Sequence, residues 1–329
     1  PLGPVDGDPW LRTEFRRSGF EPETFPVRWP ADPACLATIV KVLRRQRVDV
    51  VHSHEFFASV YGGAAAWLLR TPHVITMHGS RYYLSRRRRR IALRWSAKHS
   101  RAVVGVSSAK AAELTAALAL PPTAVHVVYN GVPQHLGERS RVRRELGIGP
   151  DELLIVAVGS LFPVKGHIVL LEALAMLREA AELPPWRAAI AGTGREERAL
   201  RGFVDEHGLT DRVALLGFRS DVPDVLAAAD VYAMPSLYEG SPLALMEAMF
   251  AGKAIAASAA GGIPELVSHD QEALLTPPGH AAELAMSLRS LLSDPERRAR
   301  LAAAAQQRAA SRFTLERMTD DYERLYTGA

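Results

Sequence analysis

The sequence is poor in cysteine, in aromatic residues and in long apolar runs. A single cysteine, Cys35, stands among its 329 residues, and aromatic residues make up only 7%. One cysteine excludes an intramolecular disulfide framework and is typical of a reducing compartment. No stretch approaches the roughly 18 consecutive apolar residues that a membrane-spanning helix needs. We therefore expect a soluble protein of the cytoplasm.

Acidic residues are missing from one basic stretch of the chain. Between Arg81 and Arg101 there are nine Lys or Arg and no Asp or Glu, whereas the whole chain has 40 Lys plus Arg and 36 Asp plus Glu. Leu84, Ile91 and Trp95 recur there at near-helical intervals, which predicts an amphipathic helix with a polybasic face. Such a face attracts anionic lipid by about 1 kcal/mol per basic residue.

We expect this stretch, through Arg86–Arg90, to contact an anionic membrane surface on the inner face of the membrane. The alternatives are a solvated charged face, a phosphorylated acceptor and nucleic acid. A nucleic acid is not among the partners that we expect.

Short β-rich runs alternate with helical patterns, which is the signature of parallel βαβ layers. The length exceeds the size at which one hydrophobic core stops growing, so we predict an α/β protein of two doubly wound, Rossmann-like domains. The predicted strands are residues 48–54, 73–79, 102–107, 125–131, 153–160, 187–192, 212–218, 231–236, 253–258 and 272–278. The predicted helices include residues 166–181, 195–207, 221–229 and 280–293.

The domain boundary is predicted where strands are absent. Residues 132–150 carry Gly, Pro and charge but no strand pattern. The predicted domains are 1–135 and 136–312, followed by a helix at 313–329 that we expect to cross back to the first domain. Residues 1–35 show no clear strand, so the first sheet is expected to begin at Val48. Ligands bind at the carboxyl ends of such strands, which makes the cleft between the domains the expected site.

One carboxylate interrupts an apolar run in the second half. Glu247 is the only ionisable side chain in residues 242–251. A helix that is apolar nearly all round is a buried helix. An ionised carboxylate inside it is costly unless something hydrogen-bonds it. Either a protein group or a ligand must therefore satisfy Glu247.

The ends of this helix are also marked in the sequence. Ser241 is the predicted N-cap, Pro242 the first helical residue and Gly252 the left-handed residue past the end. The helix N-terminus then offers unpaired N–H groups and the positive end of the dipole to an anion. Glu239 stands eight positions before Glu247, so both can contact one extended ligand.

These residues carry a resemblance to a known family. The segment "YEGSPLALMEAMFAGKAIAAS", followed by "GGIPELV", resembles the donor-binding signature of the retaining glycosyltransferases of family 4. Four further segments, "VAVGSLFPVKGHIVLLEAL", "AGTGREERALR", "LLGFRSDVPDVLAAADVYAMPS" and "LLTPPGHAAELA", match the C-terminal domain of that family in order and spacing. Looser matches to its N-terminal domain are "ITMHG", "VVGVSSA" and "VVYNGV". The resemblance implies the GT-B fold, with an acceptor-side and a nucleotide-sugar domain facing each other across a cleft.

The resemblance implies catalytic roles for three residues. Glu239 corresponds to the glutamate that contacts hydroxyls of the transferred sugar. Lys165 matches the lysine that binds the donor diphosphate and stabilises charge on the leaving nucleotide. His78 resembles the histidine that faces the donor across the cleft. The structural alternatives are a solvated loop carboxylate, a solvent-facing lysine and a core histidine.

It also implies a set of donor-binding residues. Glu247 corresponds to the glutamate that accepts hydrogen bonds from the ribose hydroxyls. Ser160 stands where many relatives carry Arg. The cationic side chains that bind the donor diphosphate are therefore one fewer here, or one of them comes from the N-terminal domain. The remaining donor-binding residues are Gly240, Ser241, Pro242 and Leu243 in the loop and helix start, Gly192 and Gly194 in a tight turn, and Phe218 and Arg219 near the base.

No metal and no cofactor beyond the nucleotide sugar, such as a UDP- or GDP-sugar, is expected. His52 and His54 lie on one face of a predicted strand, which is a weak indication of a metal because no third ligand is recognisable. The resemblance implies that the donor is bound without metal.

We expect a retaining transferase that moves a sugar from a nucleotide-diphosphate donor to a hydroxyl of a glycan, glycolipid or small molecule. The acceptor would attack on the face that the nucleotide leaves. The alternatives are a GT-B epimerase or phosphorylase, and a non-catalytic nucleotide-sugar-binding or assembly protein. Relatives open with a strand and a Gly-rich loop that nothing before Val48 matches. We therefore expect a first domain that is incomplete or has an unusual acceptor side.

Overall fold

The computed structural model describes residues 2–3, 9–28, 31–79, 86–180 and 182–328, with side chains from Arg12 onward. These residues belong to two compact units. The first unit comprises Pro1–Val128 together with Asp320–Ala329, and the second comprises Tyr129–Thr319.

The first unit opens with two very short strands. Strands β1 (Leu2–Gly3) and β2 (Phe25–Pro26) pair in parallel. The expectation that the first sheet begins at Val48 was therefore wrong, because this pair of strands precedes it. Strands of two residues beside Gly and Pro are too short to produce an alternating pattern in the sequence.

A parallel sheet of four strands forms the centre of the first unit. Its strands, in spatial order, are β3 (Val51–His54), β4 (His73–Met77), β5 (Ala102–Gly105) and β6 (Val125–Val127). The helices of this unit are α1 (Pro9–Arg17), α2 (Pro33–Arg45), α3 (Glu55–Leu69), α4 (Arg87–Lys98) and α5 (Ser108–Leu118). Every residue of β4 and β5 is buried, as expected for a parallel sheet that is covered on both faces.

The second unit contains a parallel sheet of six strands. In chain order they are β7 (Leu153–Val158), β8 (Trp186–Ala191), β9 (Val213–Gly217), β10 (Val231–Met234), β11 (Ala254–Ser258) and β12 (Leu274–Thr276). The spatial order is β12-β11-β10-β7-β8-β9. This is the doubly wound order of a Rossmann fold, with its switch point between β7 and β10.

Helices cover both faces of this second sheet. They are α6 (Arg139–Glu145), α7 (His167–Arg178), α8 (Glu197–Glu206), α9 (Val222–Ala228), α10 (Leu243–Phe250), α11 (Ile263–Leu266), α12 (Ala281–Ser293) and α13 (Pro295–Arg312). One core cluster packs α7, α8 and α12 against the sheet, and another packs α10 and α13 against it. The ten predicted strands and the four predicted helices are confirmed, with shifts of a few residues at their ends.

The last helix, α14 (Leu315–Thr327), contributes to both units. Its second half belongs to the first unit. There the hydroxyl of Tyr322 lies 3.0 Å from Thr76 Oγ1, and the hydroxyl of Tyr326 lies 2.7 Å from His52 Nδ1. These hydrogen bonds attach the last helix to His52 of β3 and Thr76 of β4.

Helix α4 forms as predicted, but its packed face is different. Leu93, Ser96 and Ala97 are buried, whereas Ile91 is 57% and Trp95 is 38% exposed. At 100° per residue, Ile91 and Trp95, each two positions from Leu93, both point about 160° away from it. The expected apolar stripe therefore lies among the arginines and not against the core. Leu84, the third residue of that stripe, lies outside the described residues.

Within the part of the chain that the structure describes, none of the helices combines the length and the apolar character needed to cross a bilayer.

Candidate functional site

Loops at the switch point of the second sheet carry most of the predicted site. Ser160 and Lys165 follow β7, and Glu239, Gly240 and Ser241 follow β10. Because β7 and β10 are parallel neighbours, their carboxyl ends meet at the same edge of the sheet. Ligands of doubly wound sheets bind at this position.

Lys165 and Glu239 are brought into direct contact. Lys165 Nζ donates to Glu239 Oε1 at 2.7 Å, and the hydroxyl of Ser236 donates to the same oxygen at 2.7 Å. The Glu239 side chain is 8% exposed and that of Lys165 is 29% exposed. Within the described residues, Oε2 of Glu239 receives no hydrogen bond. The carboxylate is thus fixed at one oxygen and can accept a ligand hydroxyl at the other.

Two glycines allow the backbone to hold this pair in place. Gly261, at φ 55°, lies so close that a Cβ would come within 1.9 Å of the carbonyl oxygen of Glu239. The N–H of the next residue, Gly262, donates to that carbonyl at 3.0 Å. Gly166, at φ 64°, leaves 2.2 Å between a hypothetical Cβ and the carbonyl oxygen of Pro235. Only glycine fits these conformations and distances without strain.

The N-terminus of α10 lies beside Glu239. The helix begins at Leu243 with Pro242 in the N-cap position, so the prediction of Ser241 as N-cap was wrong. Pro242 has the extended backbone conformation of an N-cap, so the helix begins after Pro242 and the Ser241 side chain does not cap it. Among the described residues, the Ser241 hydroxyl is buried without a partner, and the N–H groups of Gly240 and Ser241 donate no hydrogen bond. This helix end can therefore bind an anion or a sugar hydroxyl.

Glu247 lies in the second turn of α10 and is half-buried. Burial raises the pKa of its carboxyl group, and the nearby His135 opposes that rise. The carboxylate lines a small pocket with Pro133 and Phe250. No side chain in the described ranges hydrogen-bonds it. The sequence left either a protein group or a ligand as the partner of Glu247. No protein group takes that role in the described part of the chain, which favours a ligand.

The predicted glycines after β8 have a packing role. A Cβ on Gly192 would come within 1.9 Å of the Gly159 carbonyl oxygen, and one on Gly194 within 2.4 Å of that of Leu161. These contacts pack the loop after β8 directly against the loop that carries Ser160. Ser160 itself is exposed.

Phe218 and Arg219 follow β9 at the same edge of the sheet. The ring of Phe218 is 69% exposed, which leaves it accessible to a flat ligand. The guanidinium of Arg219 is held by Glu145 and Asp221 at 2.6–2.9 Å. These carboxylates raise the pKa of Arg219, which keeps the guanidinium charged, and they balance its positive charge within the protein.

His78 lies in the first unit, directly after β4. Its Nε2 is 2.8 Å from Nδ1 of His54, and its backbone N–H donates to Glu55 Oε1 at 3.0 Å. Burial lowers the pKa of His78, and Glu55 opposes that effect. Burial, with the neighbouring His78, also lowers the pKa of His54 to about 4. The two rings are therefore neutral at pH 7 and share a single hydrogen bond.

The side chains of His52 and His54 are not arranged around a common ligand position. His52 bonds to Tyr326 and Thr76, while His54 bonds to His78. Across the described ranges, no group of three His, Cys, Asp or Glu could hold a metal ion.

Comparison with known proteins identifies the family. A model of the glycosyl transferases group 1 family matches residues 138–308, and a model of glycosyltransferase family 4 matches residues 4–135. The chain belongs to the glycosyl transferases group 1 family. It is therefore a glycosyltransferase, and its two Rossmann-like sheets are those of the GT-B fold.

Individual relatives of this glycosyltransferase agree with the assignment. The 2-deoxystreptamine glucosyltransferase of Streptomyces kanamyceticus is 28% identical over 80% of this chain and 73% of its own length. The D-inositol 3-phosphate glycosyltransferase of Jonesia denitrificans is 31% identical over 84% of this chain and 71% of its own length. The structure of Anabaena HepE in complex with UDP is similar with a TM-score of 0.87. It is 26% identical and covers 100% of this chain and 92% of its own.

Several residues at the site of this glycosyltransferase were missed by sequence reasoning. Ser236 fixes Glu239, Asn130 Nδ2 donates to the Ser241 carbonyl at 3.0 Å, and His135 faces Glu247. His167, the first residue of α7, is buried beside the backbone of Gly159 and Ser160, and neither ring nitrogen makes a well-formed hydrogen bond among the described residues. The segment "KGH" could have drawn attention to His167, but single Ser, Asn and His residues in loops give no comparable signal.

Proposed function

We propose that this glycosyltransferase takes a sugar from a nucleotide-diphosphate-sugar donor held by the second unit and transfers it to a hydroxyl acceptor with retention of configuration. One observation carries the proposal. Lys165, Glu239 and the N-terminus of α10 meet at the switch point of the second sheet, and the carboxylate of Glu247 one turn further has no protein partner in the described chain.

Each part of this arrangement has a role toward the donor. The unpartnered carboxylate of Glu247 accepts hydrogen bonds from the ribose diol, a charge-assisted contact. The free N–H groups at the start of α10 and the ammonium of Lys165 bind the diphosphate. Glu239, whose Oε1 is fixed by Lys165 and Ser236, accepts a hydroxyl of the transferred sugar at Oε2.

Lys165 is also the group that stabilises the leaving nucleotide. Negative charge develops on the diphosphate as the sugar–phosphate bond breaks, and a fixed ammonium lowers the energy of that state. The ammonium has three N–H groups and spends one on Glu239, so it can bind phosphate without giving up the carboxylate. The departing phosphate takes the acceptor proton, and no protein nucleophile and no metal are needed. The role of His78 toward the donor stays a prediction from the resemblance.

The names and bound ligands of relatives support a UDP-sugar as the donor, and they suggest two classes of acceptor. HepE has been solved with UDP and with UDP-glucose, at 26% identity to this chain in both cases. One relative is named for transfer to 2-deoxystreptamine and another, from Escherichia coli, for transfer to a diphosphoundecaprenol-linked sugar. We propose a UDP-hexose donor and either a small polyol or a lipid-linked glycan as acceptor. An anionic membrane surface, reached through Arg86–Arg90, is the partner that suits the second class.

The experiment is a panel of nucleotide sugars with the purified chain. UDP-glucose, UDP-galactose, UDP-N-acetylglucosamine and GDP-mannose are each incubated with EDTA, and the released nucleotide and the anomer of the sugar are followed by NMR. We expect release of UDP from at least one donor, unaffected by EDTA, with the first-formed sugar in the same anomeric configuration as the donor. Inverted configuration, or activity only after addition of a divalent metal, contradicts the mechanism. Calorimetric binding with no hydrolysis or transfer favours the non-catalytic alternative.

A further inference from the structure

Exposed tryptophans of two different helices meet on the surface of the first unit. Trp67, near the end of α3, is 55% exposed, and Trp95 of α4 is 38% exposed. Their ring centroids are 6.0 Å apart with an interplanar angle of 70°. Leu68 and Ile91, 54% and 57% exposed, flank them on the same two helices. We name these four residues the tryptophan face.

Small residues in the helix contact produce this meeting. The hydroxyl of Ser96 on α4 donates to the Ser59 carbonyl of α3 at 2.6 Å. A Cβ on Gly63 would come within 2.0 Å of the Ser96 hydroxyl oxygen, so only glycine lets the helices approach this closely. Trp67 is one turn after Gly63, and Trp95 is the neighbour of Ser96. The close contact therefore places the two indoles side by side at the surface.

The charges around the tryptophan face have one sign. Arg87, Arg88, Arg94 and Lys98 project from the exposed side of α4, and none of them has a partner among the described residues. A surface groove beside Trp67 adds Arg70, and the described residues that line it include no carboxylate.

We propose that the tryptophan face inserts into the interface of a bilayer that contains anionic lipids, with the surrounding cations bound to the lipid headgroups. Tryptophan is favoured at the membrane–water interface because its ring is amphipathic. Long Arg and Lys side chains can place their charges at headgroup level while their stems cover apolar surface. The proposal extends the membrane contact of Arg86–Arg90 from electrostatic adsorption to insertion of specific apolar side chains. It rests on that part of the proposed function and not on the transfer reaction.

The surface suits a bilayer better than a nucleic acid. Bases stack on aromatic rings that present an open flat face. Here the indoles pack edge to face, and His99 lies 4.7 Å from the ring centre of Trp95. Two exposed aliphatic side chains, Leu68 and Ile91, gain from contact with hydrocarbon and have nothing to offer a base or a phosphate.

The experiment uses the full chain and vesicles of phosphatidylcholine with and without phosphatidylglycerol. The test variants are Trp67→Ala/Trp95→Ala and Arg88→Gln/Arg94→Gln. Met286→Ala removes an apolar side chain that is 71% exposed in the second unit, and Arg198→Gln/Arg289→Gln removes two exposed charges there. These two variants are matched controls for apolar area and for charge. Brominated lipids report insertion through quenching of tryptophan fluorescence.

We expect salt-sensitive binding of the wild type to the anionic vesicles only, and quenching by brominated lipid. The arginine variant, which lacks two basic residues, should bind about 30-fold more weakly and the tryptophan variant about tenfold more weakly, whereas each control variant should bind as the wild type does. The tryptophan variant should also lose most of the quenching. Donor hydrolysis in solution should be unchanged in all four variants, so the vesicle assay can fail while the transferase proposal stands.

Three outcomes would overturn insertion. Equal vesicle binding by the tryptophan variant and the wild type, with weaker binding by the arginine variant, would leave electrostatic adsorption alone. Absence of binding to anionic vesicles would remove the membrane altogether. Tryptophan-dependent binding of a short single-stranded oligonucleotide, without vesicle binding, would assign the face to nucleic acid.

Discussion

Lys165 and Glu239 form the contact on which the proposed chemistry depends, and this ion pair can be interpreted in two ways. It can be a structural ion pair, or a preformed site that a donor enters. Partly buried pairs of this kind contribute little net stability, yet removing one partner leaves an uncompensated charge. Stability and turnover therefore respond differently to single and double substitution.

Substitution of Lys165 by Met should separate these readings. The buried Glu239 carboxylate would keep only its bond from Ser236, so we expect a loss of about 1–3 kcal/mol in the free energy of unfolding. Turnover of the donor should fall by about 10²–10³-fold because the ammonium no longer stabilises the leaving diphosphate. Urea unfolding and UDP release measure the two quantities.

The double variant Lys165→Met/Glu239→Gln is the control for this prediction. Neutralising the carboxylate should restore most of the lost stability but none of the turnover. Recovery of turnover together with stability would show that the pair only supports the fold.

The Ser241 hydroxyl provides a second prediction at this scale. It is buried without a partner within the described chain, so Ser241→Ala should leave the free energy of unfolding unchanged or slightly higher. Donor affinity should fall about tenfold if the hydroxyl contacts the donor, since that is the effect of one hydrogen bond of about 1.4 kcal/mol. Ser236→Ala, which removes a bond to Glu239, should instead lower stability. Unchanged donor affinity in Ser241→Ala would remove this hydroxyl from the site.

At the scale of elements, the turn at Gly261 positions Glu239. We expect Gly261→Ala to destabilise the second unit by about 1–3 kcal/mol, because an L-residue is strained at φ 55° and its Cβ would meet the Glu239 carbonyl. Turnover should fall as well, since the loop that carries Glu239 must move. Thermal unfolding and UDP release are the measurements.

Gly202 offers a matched control for Gly261. It lies within α8, and a Cβ there would meet nothing within 4 Å. Gly202→Ala should therefore stabilise the protein by about 0.5–1 kcal/mol. Equal effects of the two substitutions would show that the turn at Gly261 is not constrained.

The elements themselves could be predicted from the sequence to different degrees. Strand β10 is a continuous apolar run and β4 is apolar except for His73 and Thr76, and the structure confirms both strands. The start of α10 was missed by one residue because the fixed φ of Pro242 is compatible both with the N-cap position and with the first helical position. The phase of α4 was missed because its sequence contains two apolar sets, Ile91 with Trp95 and Leu93 with Ala97. Only contact with α3 decides which set is buried.

Only those residues of the candidate site that belong to a sequence motif could be predicted from the sequence. Glu247 was singled out because it is a carboxylate in an apolar helix, and Glu239 and Lys165 because they match motif positions of the family. Ser236 and Asn130 reach the site through a single hydrogen bond each, and such contacts leave no pattern in the sequence. The ion pair between Arg219 and Glu145 joins residues 74 positions apart, and it too leaves no pattern in the sequence.

At the scale of the whole molecule, each unit buries a neutral histidine. His73 in the first unit and His167 in the second are both 2% exposed. Burial lowers the pKa of each ring from 6.5 to about 4. The unfolded chain therefore binds more protons than the folded chain between these two pH values.

We predict that stability falls on acidification from pH 6.5 to pH 4. The stabilisation by each neutral ring is fully present above the unfolded pKa and is lost as the pH falls toward the folded one, a loss of about 3 kcal/mol per histidine. Urea unfolding at several pH values measures the slope. His167→Gln should have a shallower slope than the wild type, and an equal slope in the two proteins would contradict the assignment.

The most direct test of the donor site is the effect of Glu247 on nucleotide binding. Isothermal calorimetry with UDP compares the wild type, Glu247→Ala and Glu172→Ala, a half-buried helical glutamate of α7 that serves as the control. We predict that Glu247→Ala weakens UDP binding about 10²-fold, since a carboxylate that holds a diol makes two charge-assisted hydrogen bonds. Its stability should be unchanged or higher, and Glu172→Ala should bind UDP as the wild type does. Wild-type affinity for UDP in a folded Glu247→Ala protein would contradict the account.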